Sequence, residues 1–441
     1  MSSPKIAIIG AGPAGCMLAR LLSLSPISIS VTVFEGESSP NYRSQGGSLD
    51  LHTSTGLAAI KAAGLWDQFL ASARYDGDFM QTTDKNLKAF LKVDGTTTTK
   101  NRPRSGPGGL SDQRPEIDRS ELRRILTESL PAGMIRWGYH LEQVDGDGTL
   151  VFKDGTTETG FDLVVGADGA WSKVRALLSD QRPIFSGVGM IEMGIPDAQQ
   201  TAPEVYRVVN RGNVFAYAEG RKLAVQQMGD GSINVYAGFR ADDENWAKTC
   251  GYDPTNLAET QKALLREGGL YGDWHPTLKE AMQRATVKCI PRSLYQLPVG
   301  FRWEHREGVT VMGDAAHLMT PFAGEGVNLA LQDAVSLAKL IIDAVQKGKG
   351  GKAKEEKGDG DVKEGLDEAV REYEEEMWPR AGKVARLTDD LTKAWMFTPN
   401  TPQSVIAATT AMHVKFHTPG IVHPLTTAGV YSYFFFKGLV N

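Results

Sequence analysis

Residues 5–35 constrain the fold of this chain more tightly than any other stretch. Lys5-Ile-Ala-Ile-Ile9 is a short, unbroken apolar run of the kind that makes a buried parallel strand. Gly10-Ala-Gly-Pro-Ala-Gly15 follows at once, and Cys16 to Leu24 continues at helical period. Ser30 to Phe34 reads as a second strand, closed by Glu35 twenty residues after Gly15. In such a strand–turn–helix–strand unit Gly10 permits a tight turn, Gly12 the close approach of a pyrophosphate, and Gly15 close helix–strand packing. Ala14 lies in the same turn, and the Glu35 carboxylate can accept hydrogen bonds from an adenosine ribose. The pattern predicts a dinucleotide site and does not separate FAD from NAD.

A second glycine-bearing turn lies about three hundred residues on. Val309-Thr-Val-Met312 reads as a buried strand that breaks at Gly313, leaving Asp314 at the carboxyl end, where open α/β sheets bind ligands. Pro321 and Gly324-Glu-Gly326 then lead into a long amphipathic helix starting near Val327. A helix N-terminus behind a glycine turn offers unpaired N–H groups and partial positive charge. Asp314 suits a polyol such as a ribityl chain, and the helix end suits a group that gains negative charge. A helix-capping aspartate would explain Asp314 alone but not the glycine loop after Pro321.

The succession Gly-Asp-Ala-Ala-His, Pro and Gly-x-Gly-x-Asn resembles the second FAD fingerprint of the flavin-dependent aromatic hydroxylases, the p-hydroxybenzoate hydroxylase superfamily. The resemblance implies that Asp314 holds the ribityl chain. It also implies that Pro321, Gly324, Gly326, Val327 and Asn328 bring the helix N-terminus to the N1/C2 edge of the flavin, which decides for FAD. Phe161-Asp-Leu-Val-Val-Gly-Ala-Asp-Gly-Ala-Trp-Ser-Lys-Val-Arg175 resembles the Asp-Gly fingerprint of the same hydroxylases, with Asp168, Gly169, Ser172 and Arg175 in register. That motif is implicated in the FAD pyrophosphate region and in NAD(P)H use. Pro115 to Leu126 reads as a helix capped at Asp118. The family's Arg-x-x-Leu-Arg matches it and places Arg119 on FAD, with Arg123 second.

Arg43-Ser-Gln-Gly-Gly-Ser-Leu-Asp-Leu-His52 narrows the resemblance to the tetracycline-inactivating flavin monooxygenases. There the residue matching Arg43 is assigned to NADPH and that matching Asp50 to FAD; a solvated loop cation is the plain alternative for Arg43. Elsewhere the match fails. Gly36 stands where that subfamily has an arginine after the acid of strand two. Gly212-Asn213-Val214 replaces a Gly-Asn-Arg whose arginine contacts tetracycline, and Glu192 falls where the subfamily uses glutamine. The implied substrate contact is therefore Glu192, and tetracycline is expected to be a poor substrate beside a less polar fused aromatic.

Between Ile184 and Ile290 the sequence turns to short alternating strands, with Leu223–Met228 and Ser232–Arg240 the clearest. They read as an antiparallel sheet forming one wall of a substrate cavity. His275, in Asp273-Trp-His-Pro276, reads as a loop histidine. Residues 347–365 are rich in Lys, Glu, Asp and Gly and read as a flexible charged loop. Residues 366–441 are C-terminal helix and an apolar tail ending Val430-Tyr-Ser-Tyr-Phe-Phe-Phe-Lys-Gly-Leu-Val440, too short to span a bilayer. Packing on the cofactor domain is the first reading of that tail; membrane contact or self-association is the second.

The fold expected is α/β. A Rossmann-like, GR2-type three-layer FAD domain (1–75, 103–183 and 291–346) interleaves with an antiparallel-sheet substrate domain (76–102 and 184–290), plus C-terminal helices. A net charge of −5 gives no reason to expect nucleic acid or an anionic membrane as partner. Three separated cysteines argue for a reducing, cytoplasmic setting without disulfides or a metal site. The resemblance implies a monooxygenase using FAD and NADPH or NADH. It would take O₂ to a C4a-hydroperoxyflavin and hydroxylate or epoxidise an aromatic or polycyclic small molecule, in secondary metabolism or xenobiotic modification. The flavin carries that chemistry, so no side chain is singled out as catalytic. A monomer or weak dimer is expected. An FAD oxidase, dehydrogenase or halogenase is the alternative, though the halogenase Trp-x-Trp-x-Ile-Pro segment is absent.

Overall fold

In the computed structural model the described residues are 3–39, 46–77, 79–93, 114–350, 359–418 and 420–440. The chain forms two compact units. The first comprises Met1–Ala73, Pro103–Ile184 and Tyr295–Ala385; the second comprises Arg74–Arg102, Phe185–Leu294 and Arg386–Asn441.

The first unit is built on a five-stranded parallel sheet. Its order is Val309–Val311, Leu163–Gly166, Lys5–Ile9, Ser30–Glu35, Ile135–Trp137. The central strands are apolar on both faces because helices cover them: Ile6, Ile8, Val33, Val165 and Val311 are wholly buried. The helix Pro13–Ser23 starts with proline at its first position, where a missing N–H costs nothing, and packs against the helix Gly326–Gly350. A small two-stranded sheet pairs Ser48–Asp50 with Glu116–Asp118. The helix is Arg119–Glu128 with Asp118 at its N-cap position, as the sequence reading has it, while Glu116–Asp118 leading into it are strand, which that reading did not resolve. Helical spacing of Leu122 and Leu126 is visible in the sequence; a pairing partner some seventy residues away is not.

The second unit is built on a seven-stranded sheet. Its order is Val287–Gln296, Ile184–Ile195, Ile233–Arg240, Arg221–Gln227, Asn213–Ala218, Met80–Asp84, Ala89–Val93. It is antiparallel from Ile184–Ile195 through Asn213–Ala218 and again at its far edge, while Asn213–Ala218 and Met80–Asp84 run parallel. Period-2 alternation puts Ile191, Met193, Val214, Ala216, Leu223, Val225, Val235 and Ala237 on one face. They form one core with Val205, Leu264, Leu278 and Met282 from three helices between the strands. The sequence reading did not resolve the helices Pro203–Val209 and Leu257–Leu265. His275 caps the helix Pro276–Gln283, its Nδ1 accepting from Thr277 N at 3.2 Å. In the charged stretch 347–365, read as a flexible loop, residues 347–350 and 359–365 are helical, and 351–358 lie outside the described residues.

Candidate cofactor site

Three loops leave the carboxyl edge of the parallel sheet and touch one another through backbone. Gly10 (φ 106°) donates its N–H to Phe34 O at 2.8 Å, and a Cβ built on it would stand 2.4 Å from Ala167 O. A Cβ at Gly15 would stand 2.1 Å from Gly10 O, so the turn closes on its own helix only with glycine there. Gly12 faces open space, as a residue past which a bulky anion approaches must. Gly313 (φ 59°) brings its loop against Ala14, with a built Cβ 3.4 Å from the Ala14 methyl. Arg175 binds the remaining pair of loops together. It is buried and donates to Ala315 O at 2.9 Å and to Ala170 O at 2.7 Å. That arginine, part of the Asp-Gly fingerprint, acts here as a staple.

Asp168 is held inside its own turn by Ser172 Oγ at 2.5 Å and Lys173 N at 2.7 Å. Burial outweighs these donors and raises its pKa above the ordinary carboxylate value. Glu35 accepts from Ala11 N at 2.7 Å through Oε2 and from Glu37 N at 2.8 Å through Oε1, so it braces the glycine turn. Arg123 is buried in an ion pair with Glu37 at 2.7 Å. Arg119 is exposed at the head of its helix, its N–H bonded to Gly47 O at 2.9 Å. Arg43 lies outside the described residues.

Asp314 is exposed, the first residue of the short helix Asp314–His317, and among the described residues no donor engages its carboxylate. Behind it, buried Asp333 fixes the turn. Its Oδ2 accepts from Gly313 N at 3.1 Å and pairs with His317 Nε2 at 2.6 Å, and its Oδ1 accepts from Arg380 Nη2 at 2.9 Å. Burial alone would raise the Asp333 pKa, but the His317 and Arg380 charges overcome it and hold the carboxyl low.

The Gly324-Glu-Gly326 turn meets the 46–52 segment. Asn328, fully buried, accepts from His52 N at 2.9 Å and donates to Asp50 O at 2.9 Å. A Cβ at Gly56 would lie 2.6 Å from Asn328 Oδ1, which explains that glycine. His52 pairs through Nε2 with Asp50 Oδ2 at 3.0 Å and through Nδ1 with Glu325 Oε2 at 3.4 Å. Burial favours the neutral ring, yet the two carboxylates prevail and raise its pKa from 6.5 to about 9. The imidazolium in turn holds Asp50 below its usual value despite burial.

These residues fit FAD by their own chemistry. A glycine turn with open space at Gly12 can take a pyrophosphate, the unengaged Asp314 carboxylate a polyol, and the N-terminus of the Gly326 helix an electron-rich ring edge. Comparison with known proteins agrees. The family described as an FAD binding domain matches residues 4–357. The chain belongs to that family. It is an enzyme, an FAD-dependent monooxygenase of the aromatic hydroxylase type. It is 31% identical to the monooxygenase penA of Penicillium thymicola over 87% of this chain and 93% of that one. It is also 31% identical to the monooxygenase asqM of Emericella nidulans, over 76% and 83%. The tetracycline destructase Tet(51) superimposes with a TM-score of 0.63, covering 94% of this chain and 97% of that one. At 18% identity that likeness is one of fold.

The seven-stranded sheet carries a second polar cluster on the face opposite its core. Glu192 is buried there and meets Lys288 Nζ at 3.4 Å and Arg292 Nη2 at 3.3 Å. Lys288 also donates to Asn234 Oδ1 at 3.1 Å. On the same face the half-buried Lys222 amine lies 5.1 Å from the Phe215 ring and 5.7 Å from that of Tyr217, and burial lowers its pKa to about 8. Val214, compared with a tetracycline-contacting arginine, is 1% exposed and belongs to the core face. The polar face at that strand is presented by its neighbours Asn213 and Phe215.

Sequence reading missed His52, Glu325, Asp333 and Arg380. A histidine two residues from Asp50 and an acid inside a Gly-x-Gly turn were visible signals. Arg380, on a distant helix, left none.

Proposed function

We propose that this monooxygenase draws electrons from NAD(P)H and inserts one oxygen atom of O₂ into an aromatic or polycyclic small molecule, by hydroxylation or epoxidation, in secondary metabolism or xenobiotic modification. The observation that carries this is the convergence of Gly12, Ala14, Asp168 and Gly313 on one sheet edge, beside an Asp314 carboxylate with no donor among the described residues. FAD, when bound, supplies the oxygen activation.

On this reading Gly10, Gly12, Ala14 and Gly15 receive the pyrophosphate, with Glu35, Arg119 and Asp168 around it. Asp314 takes the ribityl chain. Asp50, Pro321, Gly324, Gly326, Val327 and Asn328 border the ring, and Arg43 serves NADPH. Residues 1–75, 103–183 and 291–346 act as the cofactor domain, while 76–102 and 184–290 bind the substrate. Glu192 orients Lys288 and Arg292 on the polar sheet face, where a phenolate or carboxylate would find a counter-charge. Gly212-Asn213-Val214 carries no arginine where the tetracycline-inactivating enzymes have one, which supports a fused aromatic less polar than tetracycline as the substrate class.

The test is a spectrum and a turnover assay. Purified protein should be yellow, with one releasable FAD per chain. A panel of phenolic, indolic and polycyclic compounds should contain one that accelerates NADPH oxidation and gains 16 mass units, as insertion of one oxygen atom requires. Peroxide formation without any oxygenated product across the panel would favour an oxidase.

A further inference from the structure

The last helix, His423–Val440, turns its apolar side outward. It packs against the preceding helix Ile406–His417 along a stripe of half-buried Thr426, Val430, Phe434 and Lys437, and Lys437 Nζ donates to Phe90 O at 2.9 Å. Around the rest of its circumference stand Leu425, Tyr431, Tyr433, Phe435 and Phe436, each between 49% and 77% exposed. At 3.6 residues per turn these five span roughly 200° of arc, about twice the stripe that a packed neighbour covers. Ile421, in the turn just before the helix, is 89% exposed. None of residues 424–436 is charged, and from Leu391 onward the chain has Lys393, Lys415 and Lys437 but no Asp or Glu, although its net charge is −5.

We propose that this helix seats the protein on the surface of a phospholipid bilayer, lying in the interfacial plane. Width and charge choose the occupant. A second copy of the chain would cover one stripe of the helix and leave the remaining rings in water. Lipid adapts to the whole arc, with Leu425, Phe435 and Phe436 among the acyl chains and the Tyr431 and Tyr433 hydroxyls at the head groups. Lys393 is paired with Asp389 and Lys437 with Phe90 O, so among the described residues the free cation of this stretch is Lys415, exposed on the preceding helix. With no carboxylate after Asp390 this segment accepts anionic lipid, whereas the rest of this acidic chain would be repelled by it. No helix among the described residues is long and apolar enough to cross a membrane, so the contact is peripheral.

The experiment is flotation of the full-length, FAD-loaded protein with phosphatidylcholine vesicles containing roughly a third phosphatidylserine. Wild type should float with the vesicles, less so with phosphatidylcholine alone. The L425S/F435S/F436S variant should lose partitioning on the order of 100-fold, since each side chain forfeits its apolar transfer energy. Its flavin content should not change. Should that variant fold poorly, hydrogen exchange on the unaltered chain decides, because vesicles should slow exchange across 420–437 and nowhere else. Wild type that stays in solution with unchanged exchange overturns the proposal. So does a lipid-free dimer whose 420–437 amides are already protected, which would make a second copy the occupant.

Discussion

The two polar clusters of this protein are assembled in opposite ways. Around the parallel sheet, the site is mostly backbone: glycines that cannot bear a Cβ, a helix N-terminus, and carbonyls gripped by Arg175. On the seven-stranded sheet the cluster is side chains only, with Glu192, Asn234, Lys222 and Lys288 drawn from four strands. A backbone site is legible locally, because each glycine belongs to a short turn pattern. The contacts that require it (Ala167 for Gly10, Ala14 for Gly313, Asn328 for Gly56) nonetheless lie far along the chain. A side-chain site is written in register, and one residue of slip changes its whole membership.

The largest effect should come from testing that slip directly. Val214→Arg would drive a cation into the core face of the sheet. An uncompensated buried charge costs about 3–5 kcal/mol, a large share of the roughly 5–15 kcal/mol that holds an ordinary protein folded. Asn213→Arg, one residue away on the polar face, should cost about 1 kcal/mol or less. Similar denaturation midpoints for the two variants would mean that the register is wrong.

In the backbone site, Asp314 and Asp333 separate binding from support. Asp314→Ala should weaken FAD by about 1.5–3 kcal/mol, on the order of 10- to 100-fold, and leave the apoprotein's melting temperature unchanged, because an exposed carboxylate holds nothing else. Asp333→Ala strands His317 and Arg380 and frees the Gly313 N–H, so it should lower apoprotein stability as well. Titration of FAD by fluorescence quenching, beside melting of the apoprotein, distinguishes them. Equal melting temperatures for both variants would show that the Asp333 network does not support the turn.

Legibility divided along the same line. The strand at Lys5, the turn at Gly10 and the Gly313-Asp314 break were readable because each is a local pattern with one conformational solution. The small strand Glu116–Asp118 was not, since only its pairing with Ser48–Asp50 makes it a strand. Asp333 looked like one more polar residue on an amphipathic helix. Its meaning comes from Arg380, supplied by a helix that the intervening residues 351–358 separate from it in sequence. The face that Val214 takes was not readable either, because a motif match places a residue in the chain and does not say which side of a strand it occupies.

A third comparison uses pH. His52 has a folded pKa raised from 6.5 to about 9 by Asp50 and Glu325. A raised folded value means the imidazolium contributes its full stability below pH 6.5 and loses it as pH climbs through about 9. Thermal midpoints should therefore fall between pH 6.5 and 9 in wild type, and fall less in His52→Gln. Parallel curves for the two proteins would remove His52 from this role.

The smallest effect is expected on the polar face of the sheet, and it should appear in specificity. Glu192 sits against Lys288 and Arg292 at 3.3–3.4 Å, long for charge-assisted bonds, and both cations are partly solvated at 22% and 48% exposure. Screening at such a site reduces the pairing to about 1 kcal/mol or less, so Glu192→Gln should barely move the melting temperature. FAD affinity should not change, since among the described residues the partners of this carboxylate are Lys288 and Arg292. What changes is the field: with the acid neutralised, the two cations are no longer partly cancelled, and a phenolate or carboxylate on the substrate gains what Glu192 held. KM for anionic aromatics should drop several-fold, while neutral aromatics keep theirs, and Lys288→Met should move the anionic set the other way. The measurement is kcat and KM across a charged and an uncharged pair of otherwise matched compounds. Identical values in all three proteins would reduce the cluster to a structural ion pair and leave substrate charge to be read elsewhere.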